Sequence, residues 1–279
     1  MDRPILPAAP ASRKSWDDIF SHPCPVTIQR FNTGRLDIPM KGALNLKHPN
    51  ARGIKNETLS IPVFAYLLQH PEFGHYLLDA GLDASYQAGP FGRVRGLLVK
   101  MLIGKVIQEK GMDTASQVNT LAADLKGVFF THLHFDHIAG AADLAPDLHY
   151  AAAGEETMMS VRFFVQMDHL KEIDALYSID FSGACDLPFF GPSADIFGDG
   201  SLWALPTPGH SRGHLSYLVN TPTAPSLVVG DACFFKSGLE KRIGPGTYSS
   251  DMQTAQRTLE KLADFVAMYP QVNVCYGHE

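Results

Sequence analysis

The stretch Thr131-His132-Leu133-His134-Phe135-Asp136-His137 follows directly on the apolar run Val128-Phe129-Phe130. A short run of β-formers reads as a buried strand. Three histidines and an aspartate therefore collect where a strand stops and a loop begins, free of sheet pairing and able to converge. Neutral imidazoles and a carboxylate on a curled loop are what a metal ion needs. Histidine supplies 12 of 279 residues, so a chance His-x-His-x-Asp-His is the plainer alternative. It leaves the crowding unexplained.

Further along, the same arrangement recurs at other strand ends. Residues 201–206 read as a strand and lead into Thr207-Pro208-Gly209-His210, with His214 four residues on at the entry to the next strand. His210 is read as a ligand and His214 as a strut for the turn. The buried run Leu227-Val228-Val229-Gly230 ends at Asp231, where a charge is costly unless it is paired or holds a metal. A last strand, 272–276, stops before Gly277-His278. Residues 61–68 and 75–81 predict a hairpin that ends on Asp79-Ala80-Gly81.

The remainder supplies walls. Residues 25–31 predict a first strand, and 32–59, with many Gly and Pro, predict a long irregular segment that could line a cleft. Apolar residues at three- and four-residue steps through 89–110, among Arg93, Arg95, Lys100 and Lys105, predict a basic amphipathic helix. Its plain reading is packing on the core; the others are a lid, a homodimer contact or a membrane-surface face. Helices are also expected over 114–125, 155–177 and 251–268. The Phe189-Phe190 loop is expected to reach the cleft.

Bulk properties bound the class. At 45% hydrophobic and net charge −6, the chain can bury one large core. It shows no electrostatic footprint for nucleic acid. Residues 1–24, proline-rich at the start, predict a tail or strap, and 25–279 a single domain. No apolar stretch approaches the roughly 18 residues of a membrane span. Four scattered cysteines without Cys-x-x-Cys fit reduced thiols, and the expected compartment is the cytoplasm.

Asp79-Ala80-Gly81, His132-x-His134-x-Asp136-His137, Pro208-Gly209-His210, Gly230-Asp231 and Gly277-His278 occur together and in order. From about residue 61 onward the chain resembles the metallo-β-lactamase-fold hydrolases, most closely the N-acyl-homoserine lactonases. The resemblance implies an α/β fold, a four-layer αβ/βα sandwich with two divalent metal ions at one edge. These would be zinc, or manganese, iron or cobalt in its place. It implies His132, His134 and His210 on the first metal, Asp136, His137 and His278 on the second, Asp231 bridging and Asp79 as a brace. It also implies Asp136 as proton shuttle while hydroxide held between the metals attacks the carbonyl of an acyl lactone or ester.

The same resemblance leaves other activities open. Asp231 stands where β-lactamases typically place a cysteine ligand, which turns the reading away from antibiotic hydrolysis; Cys233 reads as a small buried thiol. Carboxylester, thioester and organophosphate hydrolysis are the alternatives, with a metal-binding or regulatory homologue without turnover as the non-enzymatic one. Lactonases often carry a tyrosine three residues after the bridging aspartate. Here that residue is Phe234, so a hydroxyl would have to come from elsewhere, Tyr248 being one candidate.

Overall fold

The computed structural model describes residues 3–156 and 168–279. Among them, two sheets lie face to face. The first runs β1 (Ile5–Leu6), β8 (Leu176–Ile179), β7 (His149–Ala152), β6 (Leu125–Phe129), β4 (Gly74–Leu78), β3 (Thr58–His70), β2 (Thr27–Pro39), β5 (Val106–Ile107). The second runs β14 (Asn273–Tyr276), β13 (Ser226–Gly230), β12 (Leu215–Val219), β11 (Leu202–Pro206), β10 (Gly191–Asp195), β9 (Cys185–Leu187).

Near-continuous apolar strands need cover on both faces, and the register shows where it comes from. In β3, Phe64, Tyr66 and Leu68 point between the sheets, where they meet Tyr217, Val219 and Val228. The alternate residues Ala65 and Leu67 face outward, onto Val118 of the helix Thr114–Thr120 and Ile138 of the short helix Phe135–Ile138. On the second sheet Leu218, Leu227 and Val229 face outward onto Leu259, Leu262 and Phe265 of the long helix 252–268. Helix, sheet, sheet, helix is the four-layer αβ/βα sandwich the resemblance implied.

Ahead of β2 the chain is fastened at several points. Ile5–Leu6 pairs in parallel with β8, Ser12 donates to the Asp195 carboxylate at 2.7 Å, and Trp16 and Ile19 are buried beside Phe265. Losing an indole packed in this way typically costs about 3–5 kcal/mol.

Several expected elements come out differently. β2 runs on to Pro39, across the first eight residues of the segment read as irregular, because Leu36 and Ile38 alternate with polar Arg35 and Asp37 and pair with β3 beyond a register shift at Asn32/Gly34. The helix expected over 89–110 is confined to Leu97–Leu102, since glycines at 92 and 96 disfavour a longer one. On it Leu97 is 78% and Met101 74% exposed. The next helix stops at Thr120 because β6 takes Leu125. Of the helix expected over 155–177, residues 157–167 lie outside the described residues, and Leu176–Ile179 is strand. The Phe189-Phe190 loop turns away from the cleft; both rings pack edge-on against Phe265. Among the described residues no helix is long and apolar enough to cross a membrane.

Candidate metal centre

Strand ends from both sheets meet at one edge of the sandwich. The first sheet delivers Asp79 after β4 and residues 131–137 after β6; the second delivers His210 after β11, Asp231 after β13 and His278 after β14. The donor atoms fall into two groupings: His132, His134, His210 and Asp231 in one, Asp136, His137 and His278 in the other, each set within 4.8 Å.

Hydrogen bonds behind the imidazoles fix which nitrogen faces inward. Asp79, held at φ 56°, accepts from the Thr131 amide at 2.7 Å, from the Thr131 hydroxyl at 2.9 Å and from His137 Nδ1 at 2.7 Å. With its proton given to Asp79, the Thr131 oxygen accepts from His132 Nδ1 at 3.0 Å. His278 Nδ1 donates to the carbonyl of Pro62 at 2.8 Å. In all three rings Nε2 is thereby turned into the cluster. The strained backbone of Asp79 is tolerated because these bonds over-determine it.

Asp231 divides its oxygens between the groupings. Oδ2 lies 3.2 Å from His210 Nε2 and 3.7 Å from His132 Nε2, while Oδ1 lies 3.0 Å from His278 Nε2 and 3.3 Å from His137 Nε2. His210 Nε2 and His134 Nδ1 stand 2.8 Å apart. Asp136 Oδ2 is 3.7 Å from both His137 Nε2 and His278 Nε2. His214 stands outside both groupings and bonds through Nδ1 to Thr207 Oγ1 at 2.9 Å.

The cluster fits cations rather than a closed hydrogen-bond network. Nε2 of His132, His137 and His278 and Oδ1 of Asp231 are buried without a hydrogen-bond partner, an arrangement that costs about 1–3 kcal/mol per atom if nothing compensates it. Burial and the neighbouring imidazoles hold His132 well below the ordinary histidine range, in the neutral form a ligand needs. Burial opposes ionisation of Asp231, yet His278, His137 and His210 keep it well below the carboxylate range. Cys233 lies apart: its thiol donates to the Phe235 carbonyl at 3.3 Å, and burial pushes it up to about 12.

A cleft opens onto this cluster. Leu36, Ile38, Ile61, Ile103, Phe135 and Phe234 form its apolar wall, Tyr248 adds a phenol, and Asp136, Asp231, His134 and His278 lie at its floor. Thus β2 and the end of the 89–110 region do reach the cleft, through Leu36, Ile38 and Ile103. Phe234 lies against His278, with ring centroids 4.9 Å apart. Sequence reading missed Thr131 and the Pro62 carbonyl. Thr131 adjoins the cluster and could have been suspected, whereas no side chain marks a backbone oxygen 216 residues from its histidine.

Residues 60–278 match the family model described as the metallo-beta-lactamase superfamily. The chain belongs to this superfamily. Within it, the N-acyl homoserine lactonase AttM of Rhizobium johnstonii is 28% identical over 242 residues, covering 84% of this chain and 87% of that protein. A solved N-acyl homoserine lactone hydrolase with the product N-hexanoyl-L-homoserine bound at its catalytic metal centre superposes with a TM-score of 0.70 at 19% identity. It covers 92% of this chain and 94% of that one. AidC, a dizinc quorum-quenching lactonase, gives 0.62 at 12% identity over 92% and 88%. These superpositions confirm the metallo-β-lactamase fold read from the strand-end motifs.

Proposed function

We propose that this chain is a dinuclear metal-dependent hydrolase that opens the ring of N-acyl-homoserine lactones. The observation that carries the reading is Asp231 at the floor of an apolar cleft, with one oxygen turned to each grouping of ligands. His132, His134 and His210 would hold one ion, Asp136, His137 and His278 the other, and Asp231 would bridge them. Nitrogen and oxygen donors without a thiolate suit zinc, and also manganese, iron or cobalt; the dizinc relative favours zinc. When bound, the pair of ions supplies Lewis acidity and makes hydroxide available at neutral pH.

The chain's own groups do the rest. The apolar wall takes an acyl chain and excludes water from it, and the lactone carbonyl is presented to the floor. Asp136, between His137 and His278 and open to the cleft, accepts the proton of the attacking water and passes it to the departing ring oxygen. Phe234 has no hydroxyl to give, so Tyr248 on the cleft wall is the donor that steadies the charge developing on the substrate oxygen. Four free thiols accord with a reducing cytoplasm.

The test is a hydrolysis panel of acyl lactones, aryl esters, thioesters and phosphotriesters, with and without chelator. Acyl-lactone turnover should lead and should vanish on chelation. Lactone kcat/KM no better than that for esters would sink the substrate assignment, and chelator-resistant turnover would sink the metal one.

A further inference from the structure

We propose that Glu156 is the positioning residue of the first ligand grouping, a buried carboxylate that anchors the turn carrying His210 to the segment that follows β7. The inference rests on the reading of those histidines as metal ligands.

Glu156 is only 5% exposed. Its Oε1 accepts from the Ser211 hydroxyl and from the Gly213 amide, the latter at 2.9 Å. Ser211 follows His210, so one side chain takes both donors from the turn that supplies His210 to the grouping. Beyond this turn the chain is joined to the base of the loop carrying His132 and His134 by the Leu215 amide donating to the Thr131 carbonyl at 2.8 Å.

The residue that carries this carboxylate is itself held in place through its backbone. It follows β7, its amide donates to the Ala153 carbonyl at 3.1 Å, and Arg3 donates to the carbonyls of Ala153 and Glu156 at 3.2 and 2.7 Å. The turn is drawn in so far that a Cβ on Gly213 would stand 2.6 Å from the Glu156 nitrogen. An ionised carboxylate accepts and does not donate, so it suits the hydroxyl and the amide that this turn presents. Alanine would strand them in the interior. Glutamine keeps one oxygen for Ser211 and Gly213 but turns an NH₂ toward any donor on the other side.

The experiment uses full-length protein loaded with two equivalents of Zn²⁺, in wild-type form and as Glu156→Ala, Glu156→Gln and Ser211→Ala. Release of each ion to a chromophoric chelator is followed at 25 °C, alongside the thermal midpoint. Glu156→Ala should release one ion about 10–100-fold faster, as loss of an outer partner typically does, with the other ion's rate unchanged. Glu156→Gln should fall between alanine and wild type, and Ser211→Ala should speed the same ion a few-fold. Both ions leaving Glu156→Ala at the wild-type rate would overturn the proposal. So would equal acceleration of both in step with a lowered midpoint, which is what general support of the fold produces. If the alanine variant does not fold, unchanged release from Glu156→Gln overturns it. Wild-type protein that takes up no Zn²⁺ would instead remove the metal reading itself, a result distinct from the other two.

Discussion

Asp136 and Asp231 are both buried at the cleft floor, and their surroundings separate their tasks. Asp231 is approached by imidazole nitrogens of both groupings, with contacts down to 3.0 Å. Asp136 is approached at 3.7 Å by His137 and His278 and lies at the cleft floor. Asp136→Asn keeps size and shape but cannot carry a proton. Its kcat should fall by about 10²–10⁴, the usual share of a positioned acid–base group, with the far-ultraviolet dichroism of the wild type; near-wild-type kcat would remove Asp136 from the proton path. Tyr248→Phe removes only a hydroxyl from the cleft wall. If that hydroxyl steadies developing charge, kcat should drop on the order of 10²-fold with little change in KM. A variant changed in KM alone would reduce Tyr248 to a wall residue.

The turn that carries His210 is built by elements on either side of it. The preceding strand β11 ends at Pro206, and the helix of residues 252–268 meets the turn from the other side. Ser250 and Asp251 amides donate to the carbonyls of His210 and Gly209 at 2.8 and 2.9 Å, and the Thr258 hydroxyl donates to the Pro208 carbonyl at 2.6 Å. Gly209 is pressed against the first turn of that helix with φ +130°, a backbone state that disfavours side chains, and a Cβ there would enter the space of Ala255. Gly209→Ala should therefore shift His210 and release one zinc equivalent at chelator concentrations that leave wild type fully loaded. Full retention of both ions would show that the turn relaxes elsewhere. The same turn shows what was legible from sequence. Pro208-Gly209 after an apolar run marks a strand end by backbone preference alone, and so do Gly230 and Gly277, which is why the cluster could be assembled before any geometry. The helix near residue 97 is shorter than its pattern because three- and four-residue spacing records a helical face without registering that Gly92 and Gly96 break it. The outward turn of Phe189 and Phe190 depends on Phe265, 75 or more residues later, and no local pattern encodes that partner. Glu156 was invisible for a similar reason: its donors, Ser211 and Gly213, lie 55 and 57 residues further along the chain.

At the scale of the whole molecule, the proposed centre is a clamp between the sheets. His132, His134, Asp136 and His137 follow β6 in the first sheet, whereas His210, Asp231 and His278 follow β11, β13 and β14 in the second. Each grouping in which ligands come together draws on both sheets, so an ion bound there resists their separation. Without ions the same edge holds buried atoms that lack partners and two carboxylates that raise one another's cost of ionisation. Folding should then depend on metal by mass action. At a free concentration one hundred times Kd, one ion stabilises the native state by about 2.7 kcal/mol. For a domain of this size, roughly 2–4 °C accompanies each kcal/mol, giving a rise on the order of 5–10 °C for one ion and about twice that for two. Chelated protein should lose this increment and regain it on zinc addition, with hydrogen exchange slowed at Leu215 and Gly277 as well as beside His132, because the ions bridge the two sheets. A midpoint indifferent to both chelator and zinc would mean that the two sheets are held together by the apolar layer around Phe64, Tyr66 and Tyr217 alone, and that the clamp contributes nothing to the fold.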